Sequence, residues 1–271
     1  MAVSAMTQAR SDEELQELLG LIKGADSVEL KLTIPDAATQ ATGQALGMDP
    51  LAAELRQVWF FDTPDLALEQ AGVVVRARRS QRKGDDTVVK LRPVVPAELP
   101  RSLRKQEGFG VEVDASPKGF VCSASFKGAP APGSVRSTIL EGKPIRKLFT
   151  KQQRAFFAEH APVGLELDAL TVLGPLLVLK LKFAPEGFDR RMVAELWLYP
   201  DGSRVFELST KCLPKEAFQV SAEARAFLAE RGVDLGSEQQ TKTRMALEFY
   251  AKHVANGKSR PARKRAAPAA S

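Results

Sequence analysis

The chain has 271 residues, 44% of them apolar and 27% charged, with a formal charge of +6. That balance fits a folded chain with a substantial core and excludes collagen-like, wholly disordered and membrane-spanning classes; the apolar run Leu176 to Leu179 is far shorter than the roughly 18 residues of a spanning helix. Lys258, Arg260, Arg263, Lys264 and Arg265 supply five of the positive charges from an acid-free terminal stretch, so the rest is near neutral and argues against a nucleic-acid surface on the body.

In chain order, Ser11 followed three residues later by Glu14 reads as a capping box, and Leu15, Leu18, Leu19 and Ile22 then share one helical face up to Gly24. Without a basic start leading into an apolar run no secretory leader is expected, and the expected compartment is the cytoplasm. Short helical caps are expected at Asp49-Pro50 and from Thr63-Pro64 to Gly72. The Pro-rich stretches 93–100 and 129–133 read as loops, and helical spacing returns over 215–230 and 239–254. The closing KSRPARKRAAPAAS reads as a disordered basic tail with at most a weak polyanion contact.

Between the helices the spacing is that of strands. Glu29 and Lys31 alternate with apolar neighbours, as do Arg76 with Arg78, Lys90 with Arg92, Glu112 with Asp114, Glu166 with Asp168, and Lys180 with Lys182. Each segment therefore carries a charged doublet on one face and an apolar row on the other. A half-exposed antiparallel sheet gives the same alternation, but six doublets made only of full charges also fit a barrel whose apolar face lies under helices and whose charged face lines a lumen. With Arg154 added, eight cations would face five acids there, an excess that suits a polyanion. Two cysteines ninety positions apart and two histidines cannot assemble the usual zinc site, so any metal would be a hard, oxygen-liganded ion such as Mg²⁺ or Mn²⁺. No P-loop is present.

At these residues the chain resembles the CYTH family, the triphosphate tunnel metalloenzymes that include tripolyphosphatases, thiamine triphosphatases and one class of adenylate cyclase. The most specific stretch is WFFDTPDLALEQAGVVVRARR, Trp59 to Arg79, where an aromatic-Asp-Thr segment leads through a glycine to Arg-x-Arg. Lys90 and Arg92 resemble the lysine-containing strand that follows, Glu112 and Asp114 the mid-chain acidic pair, Arg154 the arginine strand, Glu166 and Asp168 the next acidic position, and Lys242 the lysine of the C-terminal helical region. Three residues depart from the pattern. Ser27 stands where the family opens with a first glutamate, and Lys180 and Lys182 stand where a late Glu-x-Glu is expected. An ammonium 4 Å from a divalent ion is repelled by roughly 8 kcal/mol at an effective dielectric constant near 20. Either the ion is held by the remaining acids alone or these lysines grip phosphate; Glu195 and Glu207 are further candidate acids.

The resemblance implies an α+β fold: an antiparallel β-barrel tunnel of eight or more strands with flanking helices. The expected division is a helical segment over 1–25, the tunnel over 26–212, C-terminal helices packed on it over 213–256 and the tail over 257–271. The implied activity is divalent-cation-dependent hydrolysis of a small polyanionic substrate: inorganic, nucleoside or thiamine triphosphate. Lys31, Arg76, Arg78, Lys90, Arg92, Arg154, Lys180 and Lys182 would hold phosphate, and Glu29, Glu112, Asp114, Glu166 and Asp168 would hold Mg²⁺ or Mn²⁺. A non-catalytic polyphosphate- or nucleotide-binding module and a CYTH-type adenylate cyclase are the alternatives.

Overall fold

Period-two alternation builds nine strands: β1 (Ser27–Ile34), β2 (Glu54–Asp62), β3 (Val73–Ser80), β4 (Gly84–Leu91), β5 (Phe109–Ser116), β6 (Gly119–Gly128), β7 (Thr171–Phe183), β8 (Met192–Leu198) and β9 (Arg204–Cys212). The structure is a computed structural model that describes residues 12–117, 119–235 and 241–255; the Ser11 cap and the 257–271 tail lie outside them. The strands follow the order β1-β5-β6-β4-β3-β2-β7-β8-β9, and β9 pairs back onto β1. The sheet is therefore a closed barrel with no unpaired edge. Nine strands meet the expectation of eight or more, but the barrel is not wholly antiparallel, because the β1–β5 pair is parallel. The parallel pair arises because β5 is reached by a long connection from β4 rather than by a hairpin.

The helices are α1 (Asp12–Lys23), α2 (Thr39–Ala45), α3 (Ala67–Gln70), α4 (Arg101–Arg104), α5 (Ser134–Leu140), α6 (Lys151–His160), α7 (Ala217–Glu230) and α8 (Lys242–Ala255). Most cover the barrel's outer face. Trp59, Phe61, Val75 and Ala77 of β2 and β3 pack against Val135, Leu148, Phe156 and Phe157 from the α5–α6 region. Leu32, Leu181, Ala194 and Leu208 pack under Ala224, Phe227 and Leu228 of α7. Val28, Val113 and Cys122 join Ile22 of α1 and Val220 of α7. These apolar rows are the partners of the charged doublets, so the apolar face lies outward under helices and the charged face inward.

One helix is placed differently. Ala246, Leu247 and Tyr250 of α8 pack with Val58, Phe60, Leu176, Val178, Trp197 and Val205. By strand alternation those residues share the inward face with Arg56, Lys180, Glu195 and Glu207. Tyr250 Oη donates a 2.6 Å hydrogen bond to the Pro175 carbonyl. Thus α8 closes one end of the lumen, and Lys242 at its first turn reaches inward.

Two sequence expectations fail on secondary structure. KQQRAFF forms helix α6, capped by Thr150, whose hydroxyl accepts from Gln153 N at 3.2 Å while Gln153 Oε1 accepts from Thr150 N at 3.0 Å. Gln153 is fully buried and donates from Nε2 to the Thr87 and Phe126 carbonyls, both at 3.1 Å, which ties the helix to β4 and β6. Arg154 consequently lies on an exposed helical face, bonding the Phe149 carbonyl at 2.6 Å. Residues 165–169 form a loop ending in a 3₁₀ turn at Leu167–Ala169, not a strand. Glu166 and Asp168 are exposed there, and Asp168 pairs with Arg146 at 2.5 Å.

Candidate functional site

The lumen is built from paired strand positions. Glu29 sits across from Asp114 on the parallel β1–β5 pair and across from Lys211 on the β1–β9 pair. Lys31 lies two residues further along β1, 2.7 Å from Asp114 Oδ1 and 3.3 Å from Glu29 Oε2. Asp114 also faces Arg92 at 3.4 Å and Lys90 at 3.8 Å. Arg92 is located by Gly72, whose positive φ of 73° and missing side chain let its carbonyl accept from Arg92 N at 2.8 Å; a Cβ there would stand 2.5 Å from the Arg92 carbonyl oxygen.

Asp114 is 4% exposed, and neither of its buried oxygens receives a well-formed hydrogen bond despite the cations around it. Burial opposes its ionisation, but Lys31 and then Lys90 outweigh that and pull its pKa down to about 2. Burial likewise works against the charge on Lys31, yet Glu29, Asp114 and Glu207 together raise its pKa. Lys90 goes the other way: burial dominates over the attraction of Asp114, and its pKa falls to about 8.

That shift has a definite sign. Above about pH 8 the folded chain releases the Lys90 proton while the unfolded chain keeps it up to 10.5, so the Lys90 contribution to stability grows with pH across that window. A polyanion held by the Lys90 ammonium would follow the opposite course, because it needs the protonated form. Tripolyphosphate affinity in chelator is expected to fall as pH climbs past about 8, and Lys90→Arg is expected to flatten that fall in calorimetric titrations.

Glu29, Glu112 and Asp114 each offer a carboxylate oxygen, and the three lie within 4.8 Å of one another. Hard oxygen donors of this kind suit Mg²⁺ or Mn²⁺; Lys31 stands 2.7 Å from Asp114 Oδ1, whereas among the described residues Oδ2 has no cation nearer than Arg92 at 3.4 Å. The structure thus brings together three of the five acids expected for a metal and leaves Glu166 and Asp168 on the outer surface. Ser27 does not replace the missing acid; its hydroxyl donates to Glu112 Oε1 at 3.4 Å.

Further along, Arg76 and Arg78 project from β3. Arg78 Nε donates to both oxygens of Asp86, at 2.8 and 3.1 Å. Arg76 Nε is buried and has no hydrogen-bond partner. Burial and then Arg78 press the Arg76 pKa down, although a guanidinium keeps its proton at neutral pH. A buried, charged donor without an acceptor is a strong draw for an anion.

The late lysines are placed apart from each other. Lys180 Nζ is 2.7 Å from Glu195 Oε1; burial outweighs that pairing, which works the other way, and leaves the Lys180 pKa lowered. Lys182 stands exposed at the rim, where the nearby charge of Lys83 and then burial lower its pKa. Glu195 also pairs with Lys242, which in turn contacts Glu207 at 2.6 Å. Burial resists the ionisation of Glu195, but Lys242 and Lys180 hold its carboxyl well below the usual range; burial resists charge on Lys242, but Glu195 and Glu207 raise it. Lys242 also lies over the Trp197 ring, 5.1 Å from its centroid. The two extra acids raised from the sequence therefore hold a lysine.

Sequence reasoning missed Arg56, Asp86, Glu54, Ser209 and Lys211. Arg56 binds Glu54 at 2.6 Å on β2, Ser209 Oγ donates to Glu29 Oε1 at 2.9 Å, and Lys211 pairs with Glu112. The signal was available in β9, where Glu207, Ser209 and Lys211 repeat at every second residue. With these additions, with Lys242, Glu195 and Glu207, and without Arg154, Glu166 and Asp168, cations still outnumber acids on the inward face among the described residues.

No family model matches the chain, nor does any curated protein. Among solved structures it is similar to HpAC1 from Hippeastrum, an adenylyl cyclase candidate described as having a dominant triphosphatase activity, with a TM-score of 0.60, 16% identity, and coverage of 82% of this chain and 95% of that one. It is also similar to a candidate adenylate cyclase from Bacillus halodurans, with a TM-score of 0.56, 12% identity, and coverage of 81% and 98%. The shared property is the closed tunnel fold. No helix among the described residues is long and apolar enough to cross a membrane.

Proposed function

We propose that the chain is a CYTH-type, divalent-cation-dependent hydrolase of a triphosphate, working in the cytoplasm. The observation that carries this reading is the convergence of Lys31, Lys90 and Arg92 on one buried carboxylate, beside an acid trio and a buried Arg76 Nε that lacks an acceptor, inside a lumen closed at one end. The triphosphatase activity described for the Hippeastrum protein of the same fold supports it.

In this reading Arg76, Arg78, Lys90 and Arg92 hold the phosphate chain, with Lys31 between them and the acids. Their forks and ammonium groups are fixed before the substrate arrives, so negative charge developing on the leaving phosphate meets donors that need no rearrangement. Glu29, Glu112 and Asp114 would hold Mg²⁺ or Mn²⁺, which would polarise phosphate oxygens and orient the attacking water. Because α8 closes the far end, the substrate enters and products leave by the same mouth. The apolar floor of Phe60 and Val178 gives no hydrogen-bond donor or cation for further phosphates, so a short chain fits better than a threaded polymer.

The test is phosphate release from tripolyphosphate, ATP and thiamine triphosphate by the purified chain, with Mg²⁺, with Mn²⁺ and in chelator. Metal-dependent release well above that of the Glu112→Ala, Asp114→Ala double variant is expected. Tight tripolyphosphate binding with no product under any condition would instead identify a binding module, and cyclic AMP formed from ATP would identify a cyclase.

A further inference from the structure

The three acids of the proposed metal site are each faced by a cation already, but not equivalently. Asp114 is enclosed by Lys31, Lys90 and Arg92, and Glu29 by Lys31 and the Ser209 hydroxyl. Glu112 instead pairs with Lys211, and its only other donor to the same oxygen is the long contact from Ser27. The Lys211 side chain is 53% exposed, against 21% for Lys31 and 23% for Lys90. It projects from the end of β9 away from α8, on the rung of Glu29. Lys31 is locked between two acids, whereas Lys211 needs only a side-chain rotation to reach solvent.

We propose that Lys211 is an exchangeable counter-ion: it occupies Glu112 until a divalent cation enters among Glu29, Glu112 and Asp114, and then turns to the open mouth, where its ammonium meets an outer oxygen of the phosphate chain. This inference rests on the reading of the lumen as a metal and phosphate site. An ammonium and a divalent cation use the same carboxylate lone pairs and repel each other, so both cannot hold Glu112 Oε1. Asp114 is deeply buried, with Lys31 on Oδ1 and, among the described residues, no cation closer than 3.4 Å to Oδ2, so that second oxygen supplies fixed coordination; Glu112 is the ligand whose availability is regulated. Lys211 thereby lowers the affinity for free metal and couples metal entry to phosphate capture.

The experiment is Mn²⁺ titration of the full chain without phosphate, reading free Mn²⁺ by electron paramagnetic resonance. Lys211→Met is expected to bind Mn²⁺ roughly tenfold more tightly than the wild-type chain. Lys211→Arg, which keeps the charge, is expected to bind as the wild type does, and Asp114→Asn to lose the ion. A damaged fold does not tighten a metal site, so the gain separates this role from a structural one. Equal or weaker Mn²⁺ binding by Lys211→Met, with the ion still lost in Asp114→Asn, overturns the role of Lys211 and leaves the metal site standing. No Mn²⁺ bound by either the wild-type chain or Lys211→Met overturns both.

Discussion

Lys242→Met is expected to lower the free energy of unfolding by about 3–5 kcal/mol, read as a drop in urea midpoint with an unchanged slope. The wild-type ammonium contacts Glu195 and Glu207, which are 14% and 8% exposed. Removing it leaves two carboxylates facing each other across the β8–β9 rung, since Glu195 and Glu207 are directly paired there. Methionine keeps much of the side-chain volume, so the loss reports charge rather than packing. Adding Glu195→Gln and Glu207→Gln to Lys242→Met is expected to recover most of it, although Lys180 then loses its own partner. A midpoint equal to wild type for Lys242→Met would mean that α8 is held by its apolar face alone.

Asp114→Asn is expected to act in two directions. Metal-dependent turnover should drop by about 10²–10³ in kcat/KM, the scale seen when one fixed electrostatic element of a site is removed. Tripolyphosphate affinity in chelator should rise, because Lys31, Lys90 and Arg92 are relieved of their shared counter-charge and are freed for phosphate. The opposite signs matter. A variant that merely misfolded would lose both, and a lumen in which Asp114 faced no metal would lose neither turnover nor metal response. Kinetics paired with calorimetry on the same preparation decide between these outcomes.

The barrel was legible in the sequence because its strands alternate so strictly that a charged face could be separated from an apolar one without knowing the order of pairing. Arg154 was misread for a local reason. Thr150 and Gln153 form a capping box before KQQRAFF, and Phe156 and Phe157 bury one helical face, but the isolated arginine was matched to a strand. In residues 165–168 two Leu-acid repeats are too few to distinguish a strand from a loop with an apolar anchor, and Gly164 with φ 82° had already turned the chain. Arg56 escaped notice because β2 is buried on both faces towards its end. Its inward row runs Glu54, Arg56, Val58, Phe60, changing from charged to apolar where α8 enters the barrel. A strand whose inner face meets a helix loses the alternation that reveals it.

The return of the last strand onto the first has a consequence for how the chain reaches its native state. Contacts such as Ser209 with Glu29 join residues 180 positions apart, and the same β1 must also find mid-chain β5 running in its own direction. Such distant pairings lose the most chain entropy before any contact rewards them, which puts the chain among slow folders. During synthesis β1 has no partner on either side until β5 emerges, and the gap between β1 and β8 stays open until residues 204–212 leave the ribosome. Until then the nascent chain exposes two ready-made strand edges, each a template for off-pathway pairing.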